Sequence, residues 1–246
     1  MGPGRAAALG VAGAALLVTA ACAPVREPEP AAPGAADARI ALTAAVDRIT
    51  DDTGTITQET ATVHSVTRID PRTKNADLTV RANVPSGSGT EEIRAEIRAL
   101  GDVGYLQLIG LDGIDARRWI KVERDKLAGT VFSVDAEEQF EALGGQFATV
   151  RGGPRTYDGT VWIREHVDGF MTHLGGAPAT TVPFAATTDP DGRLTSLVVD
   201  PSSLGMGQSR IRQTFSGFGD PVTVVAPPPA LTVVGTDEML AALGIG

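Results

Sequence analysis

Cysteine and aromatic residues are scarce in this chain. Cys22 is the only cysteine among 246 residues, so no intrachain disulfide can form and no cysteine-built zinc site is available. Aromatic residues make up 4% of the chain. That is too few for the stacking platforms on which carbohydrate-binding and single-strand-binding surfaces rely, and it leaves an aliphatic interior. There are three histidines, His64, His166 and His173. The last two are seven residues apart, about 10 Å on a helix rising ~1.5 Å per residue, too far to share a metal directly. Lys and Arg number 21 against 30 Asp and Glu, a net charge of −9 that becomes −10 without Arg5. An acidic chain lacks the clustered cations that nucleic-acid binding needs. Catalytic signatures are missing too. Ser65 beside His64 sits in no G-x-S-x-G elbow, and no Gly-Lys-Ser/Thr follows the glycines at 144, 145, 152 and 153. Asp135, Glu137 and Glu138 read as the acidic start of a helix rather than as paired acid–base carboxylates. The expectation is a non-enzyme with no catalytic residues, no metal and no cofactor.

Long apolar runs are also short supply. The longest, residues 6–21, holds sixteen small and apolar residues, whereas a hydrocarbon core ~30 Å thick needs ~20. With Arg5 in front and small residues at its end, the run fits a signal-peptide core. Leu17-Val18-Thr19-Ala20-Ala21-Cys22 has the form of a lipobox, except that Thr19 stands where leucine is usual. Cysteine is required there because its thiol accepts the diacylglycerol, and acylation gives a lone cysteine in an exported protein a use. An ordinary signal peptide with a chance cysteine, or an uncleaved anchor, is the alternative. The lipobox reading predicts a signal peptide over residues 1–21, lipidation at Cys22, and a lipid anchor on the extracytoplasmic face of the cell membrane. Residues 22–36 carry four prolines and almost nothing that could be buried, so they form an extended tether.

The remaining residues, 37–246, fit one β-rich domain. Asp37 can cap an opening helix carrying Ile40, Leu42, Val46 and Ile49. Residues 55–70 are rich in Thr and Val, an extended stretch that is long for one strand and is closed by Asp70-Pro71. In residues 75–84, Leu78, Val80, Ala82 and Val84 alternate with polar residues, so one face of a sheet is covered and one is wet. Residues 91–100 fit both a strand and a helix and are assigned as a strand turning at Gly101-Asp102 into residues 105–109. Residues 119–123 follow as a strand with Trp119, Lys121 and Glu123 opposite Ile120 and Val122. Two amphipathic helices are expected in the middle, one from Asp135 with Phe140, Leu143 and Phe147, the other over residues 164–174 with Val167, Phe170, Met171 and Leu174. Strands are expected again at 181–188, 193–200, 210–216 and 222–225, with Asp189-Pro190-Asp191-Gly192 as a hairpin turn. A short capped helix over 236–243 ends the chain.

Four stretches carry a family likeness. They are Arg118-Trp119-Ile120-Lys121-Val122, the Asp-x-Asp-Gly hairpin in residues 187–194, the run from Phe215 through Gly217, Pro221 and Val222 to Val224, and Ala226-Pro227-Pro228. In this order, behind a lipobox, the chain resembles the actinobacterial LppX/LprG-like lipoproteins, which share a half-barrel with the lipoprotein carrier LolA. The resemblance spans roughly residues 22–228; the tail from residue 231 lies outside it, and residues 164–174 are more polar than a greasy lid. It implies an α+β fold in which a strongly curved antiparallel sheet, a half-barrel, is covered on its concave face by helices and encloses a hydrophobic cavity. Leu78, Val80, Ile93, Ile97, Ile120, Val122, Val182, Phe184 and Ala186 would line that cavity. Plain core packing gives the same alternation, because interiors fill to a density of ~0.75, so core and lining both stay open. Ala186 is small beside Val182 and Phe184, which makes it the position where an open cavity would tolerate a larger side chain. The resemblance implies an envelope lipoprotein that binds or carries an acylated lipid or glycolipid. The alternative is a membrane-anchored interaction module with a filled core and a protein partner in the envelope.

Overall fold

Period-two alternation recurs along the chain, and twelve strands result among the described residues. The computed structural model describes residues 34–86, 89–111, 113–128, 130, 132–134, 147–163, 180–204 and 210–245. The expected signal peptide, Cys22, nearly all of the expected tether, residues 135–146 with Phe140 and Leu143, and residues 164–174 with His166 and His173 lie outside them. Ala32–Gly246 forms one compact unit.

The strands are β1 (Gly54–Glu59), β2 (Val63–Asp70), β3 (Asn75–Ser86), β4 (Gly89–Leu100), β5 (Val103–Ile109), β6 (Trp119–Glu123), β7 (Phe147–Gly152), β8 (Thr156–Ile163), β9 (Thr180–Thr188), β10 (Leu194–Val199), β11 (Ile211–Ser216) and β12 (Thr232–Val234). The α-helices among the described residues are α1 (Ala35–Asp51) and α2 (Asp237–Ala242). All twelve strands join one sheet in the order β12-β6-β5-β4-β3-β2-β1-β11-β10-β9-β8-β7. Every pairing is antiparallel except that of β12 with β6. Among the described residues the edge strands β12 and β7 do not pair with each other, so the sheet is not closed into a barrel.

Register puts like with like. Leu78 lies opposite Ile97, Ile97 opposite Leu106, and Leu106 opposite Ile120, so one face is apolar from β3 to β6. We call it the inner face. Helix α1 packs on it through Ala38, Leu42, Ala45, Val46 and Ile49, all buried. Their spacing of three and four residues makes one stripe. Ile40, expected on that stripe, is 69% exposed, because a residue two before Leu42 points to the opposite side of a helix. Helix α1 comes closest to β7 and β10, and Arg48 Nη1 donates to the Asp191 carbonyl at 2.6 Å. That contact ties the end of the helix to the β9–β10 hairpin. In the hairpin, Gly192 takes φ 75°, and Asp189 Oδ1 accepts from the backbone N–H of Asp191 and Arg193.

Several expected elements take another form. The run over residues 55–70 is two strands, because Thr60 Oγ1 accepts from Val63 N at 2.9 Å and turns the chain between β1 and β2. Phe147 belongs to a strand, not to a helix. It opens β7, which pairs with β8 in a hairpin that the helical reading of the middle did not foresee. Residues 222–225 alternate as a strand would but join no ladder. Pro221, Pro227, Pro228 and Pro229 remove backbone donors there, and the segment lies against the outer face, where Arg98 Nη1 donates to the Val225 carbonyl at 2.9 Å. The strand forms later, as β12.

Helix α2 ends the chain as expected, with Thr236 accepting from Met239 N at 3.2 Å and Leu240 buried in the core. Removing this cap by Thr236→Ala should cost about 1 kcal/mol, measured as a shift of the urea midpoint at unchanged slope; a shift within error would mean that the terminal helix is not part of the cooperative unit.

Candidate ligand site on the inner face

The inner face is not covered evenly. Helix α1 lies nearest β7 and β10, and at the opposite side Leu127 packs over Gly104 while Leu240 and Ile120 meet around Gly235. Gly104 has to lack a side chain: a Cβ there would sit 2.8 Å from Leu127 Cδ1 and 3.2 Å from Val122 Cγ1. Between these covers, the end of the sheet nearest the β1–β2 turn is only half-buried. Val63, Val80, Ala82, Ile93, Val199 and Ile211 are all intermediate in exposure there.

The nine expected lining residues therefore divide. Leu78, Ile97, Ile120, Val122, Val182, Phe184 and Ala186 are buried in one contiguous core cluster. Phe184 packs against Phe147 with the rings tilted by 48° and their centroids 4.9 Å apart, and Ala186 lies between Tyr157 and Leu197 on neighbouring strands at 2% exposure. Val80 packs against the cluster without being fully buried, and Ile93 lies beyond it at the half-buried end. These two are half-buried; the other seven are packed.

Polar groups interrupt the apolar surface along one row. Gln213 on β11, Gln58 on β1 and Ser65 on β2 are cross-strand neighbours, and their row continues into Val80 and Ala95. Gln213 Nε2 donates to Gln58 Oε1 at 2.9 Å in a partly buried bond. The sequence reading missed both glutamines. Their signal was present, since Gln213 alternates with Ile211 and Phe215 and Gln58 follows Ile56 at period two, which puts each on the apolar side of its strand.

A cavity lies at the other end of the inner face. It measures about 660 Å³ and is bounded by Thr50 of α1, the β2–β3 and β4–β5 turns, and the segment after β6. Its floor is Ile69, Ala76, Leu127 and Val134, and its rim carries Asp70, Asp102, Glu123 and Asp125 against Lys74 and Arg124. Both cations are engaged, Lys74 Nζ 3.7 Å from Asp102 and Arg124 Nη1 with the carbonyls of Lys74 and Gly101. The Thr73 hydroxyl holds the Asp70 carboxyl below its usual range, helped by the N–H groups of Arg72 and Thr73 against the smaller opposing push of burial. Asp70 thus stays ionised. The volume falls within the ~300–1,000 Å³ of small-molecule sites, but four carboxylates around two engaged cations disfavour an anionic headgroup there. None of the nine expected lining residues borders this cavity.

The outer face is polar and cross-linked. Arg68 grips Asp77 on the next strand through both Nε, at 2.9 Å, and Nη2, and Arg94 pairs with Glu96. Trp119, on this face as expected, is nonetheless buried, its ring 4.5 Å from the Arg98 guanidinium. Among the described residues no group of three or more His, Cys, Asp or Glu could hold a metal ion, and no helix is long and apolar enough to cross a membrane.

Comparison with known protein families finds none that matches this chain, and no curated protein matches it.

Proposed function

We propose that this chain is an envelope lipoprotein, anchored through an acylated Cys22, that binds or carries an acylated lipid or glycolipid on the inner face of its sheet. The observation that carries the proposal is the half-buried apolar end of that face, around Val63, Val80, Ala82, Ile93, Val199 and Ile211. Apolar surface left partly open favours an apolar partner at ~25 cal/mol per Å² buried, and an acyl chain supplies that affinity with few polar contacts. A half-barrel is the architecture this reading needs. Two features support it: open twisted sheets seldom exceed ~10 strands without curling, and α1 is approached most closely by β7 and β10, with β8 and β9 lying between them in the sheet. A helix on a flat sheet would be nearest the strands in the middle.

The test is a charge placed on the open end. Ile93→Lys puts an ammonium on the half-buried inner face, where the long stem can carry the charge to water, so stability should change by less than about 1 kcal/mol. Lipid copurifying with the chain, extracted into organic solvent and quantified by mass spectrometry, should fall several-fold. A folded Ile93→Lys chain that retains as much lipid as the wild type would remove the ligand from this end.

A second reading, a membrane-anchored interaction module that acts on an envelope protein partner, is favoured by one observation. Seven of the nine expected lining residues are packed into the core, and a filled core serves such a module as well as a carrier.

A further inference from the structure

We infer that the Gln58–Gln213 pair is a recognition point for a neutral acyl carbonyl, an ester or amide, within the ligand that the inner face binds; this rests on the lipid-binding reading above. Two primary amides in the middle of an apolar sheet face are costly unless their hydrogen-bonding capacity is used. Each carries two N–H donors and one carbonyl acceptor. The single bond from Gln213 Nε2 to Gln58 Oε1 consumes one donor and one acceptor, so three N–H groups and one carbonyl remain. Turning the pair round, so that Gln58 donates to Gln213, leaves the same surplus. Both side chains are half-buried rather than sealed, so the surplus donors are within reach of whatever lies on this end of the face. Ser65, next in the row, adds a hydroxyl that can donate or accept.

The surroundings select the kind of carbonyl. Inner-facing residues of the adjoining rows on β11 to β4 are Ile211, Val63, Ala82 and Ile93 on one side and Phe215, Ile56, Thr67, Leu78 and Ile97 on the other. Neither row holds a Lys or Arg to neutralise a carboxylate, and an unpaired buried charge is disfavoured. A neutral ester or amide needs only donors, and the pair offers them. An ionised fatty acid is therefore a poorer fit than an esterified chain.

The test compares two neutral amphiphiles that differ in one atom group. The full chain is titrated with 1-monopalmitoylglycerol and with its ether analogue 1-O-hexadecylglycerol, each followed by displacement of the apolar dye N-phenyl-1-naphthylamine. The ester should bind about fivefold more tightly, the size expected of one net hydrogen bond. In Gln58→Met and Gln213→Met, which keep length and apolar volume, the two ligands should bind within about twofold of each other while the ether's affinity holds. The wild-type comparison stands even if a variant fails to fold. Equal affinity of the wild type for ester and ether overturns the inference and leaves the lipid reading intact, as does discrimination that persists in both folded variants. Binding of neither amphiphile overturns both.

Discussion

Cys22→Ser should leave this protein without an acylated N-terminus, and so out of the detergent phase once residues 1–21 are removed, if the lipoprotein reading holds. A serine hydroxyl does not replace the thiol as acceptor of the diacylglycerol, so the variant should remain an uncleaved precursor or be released without lipid. Either outcome changes its N-terminal mass. The effect is all-or-none because acyl chains stabilise membrane attachment by ~0.8 kcal/mol per buried methylene, and Cys22 is the only thiol in the chain. Phase partitioning with a nonionic detergent, together with intact mass, reads both consequences. A Cys22→Ser chain that partitions like the wild type with the same N-terminal mass would end the lipoprotein reading.

Phe147→Ala should be the most damaging truncation of the core. Phe147 is 0% exposed and packs its ring against Phe184 at 4.9 Å between centroids, tying β7 to β9 in the part of the sheet that α1 covers. Cutting a buried phenylalanine back to alanine costs about 3–5 kcal/mol, a large share of the 5–15 kcal/mol that typically stabilises a domain. Overpacking the same region should also fail. Read from the alternation alone, Ala186 was the position where a tryptophan could enter an open cavity. The structure reverses that expectation, because Ala186 is buried between Tyr157 and Leu197. Ala186→Trp should destabilise by ~1–3 kcal/mol or more and reduce soluble yield. Chemical unfolding of both variants checks this. If Ala186→Trp unfolds at the wild-type midpoint, the space beside β9 is open and the cavity extends further than the packing shows.

How legible was this fold in its sequence? Where alternation was regular and the turns carried Gly, Asp or Pro, it was read closely. The strand assigned to residues 119–123 coincides with β6, and the hairpin at Asp189 to Gly192 joins β9 to β10. Errors cluster where one pattern served two structures. Phe147 completes a helical stripe with Phe140 and Leu143, yet it also opens β7, where a break in register after it puts Val150, three residues on, on the buried side and hides the alternation. Tyr157, Gly159 and Val161 alternate with Asp158, Thr160 and Trp162, but the glycine hid the strand. Gly159 is there because a Cβ would stand 2.0 Å from the Thr149 carbonyl oxygen, so its cause lies on a neighbouring strand. The prolines flanking residues 222–225 were the local sign against a strand, and the Val-Thr alternation outweighed them.

The candidate site was half legible for the same reason. Period two assigns each residue to a face, and all nine expected lining residues do lie on the inner one. It does not tell how far along the strand the cover extends. That depends on where α1 packs and on Leu127 and Leu240, whose approach is set by tertiary structure. So Val80 and Ile93 sit at the open end while Leu78 and Ile97, two to four residues away on the same strands, are core. Gln58 and Gln213 were passed over because polar residues were taken to mark the wet face.

The account turns on whether the inner face holds a lipid. The direct measurement is native mass spectrometry of the chain from Ala32 onward, which lacks Cys22, purified without detergent and then mixed with 1-monopalmitoylglycerol. The account predicts a bound species heavier than the polypeptide by the mass of an acylated lipid, released on collisional activation and absent or much reduced in Ile93→Lys. A folded domain that shows only the polypeptide mass, both as purified and after mixing, would contradict it.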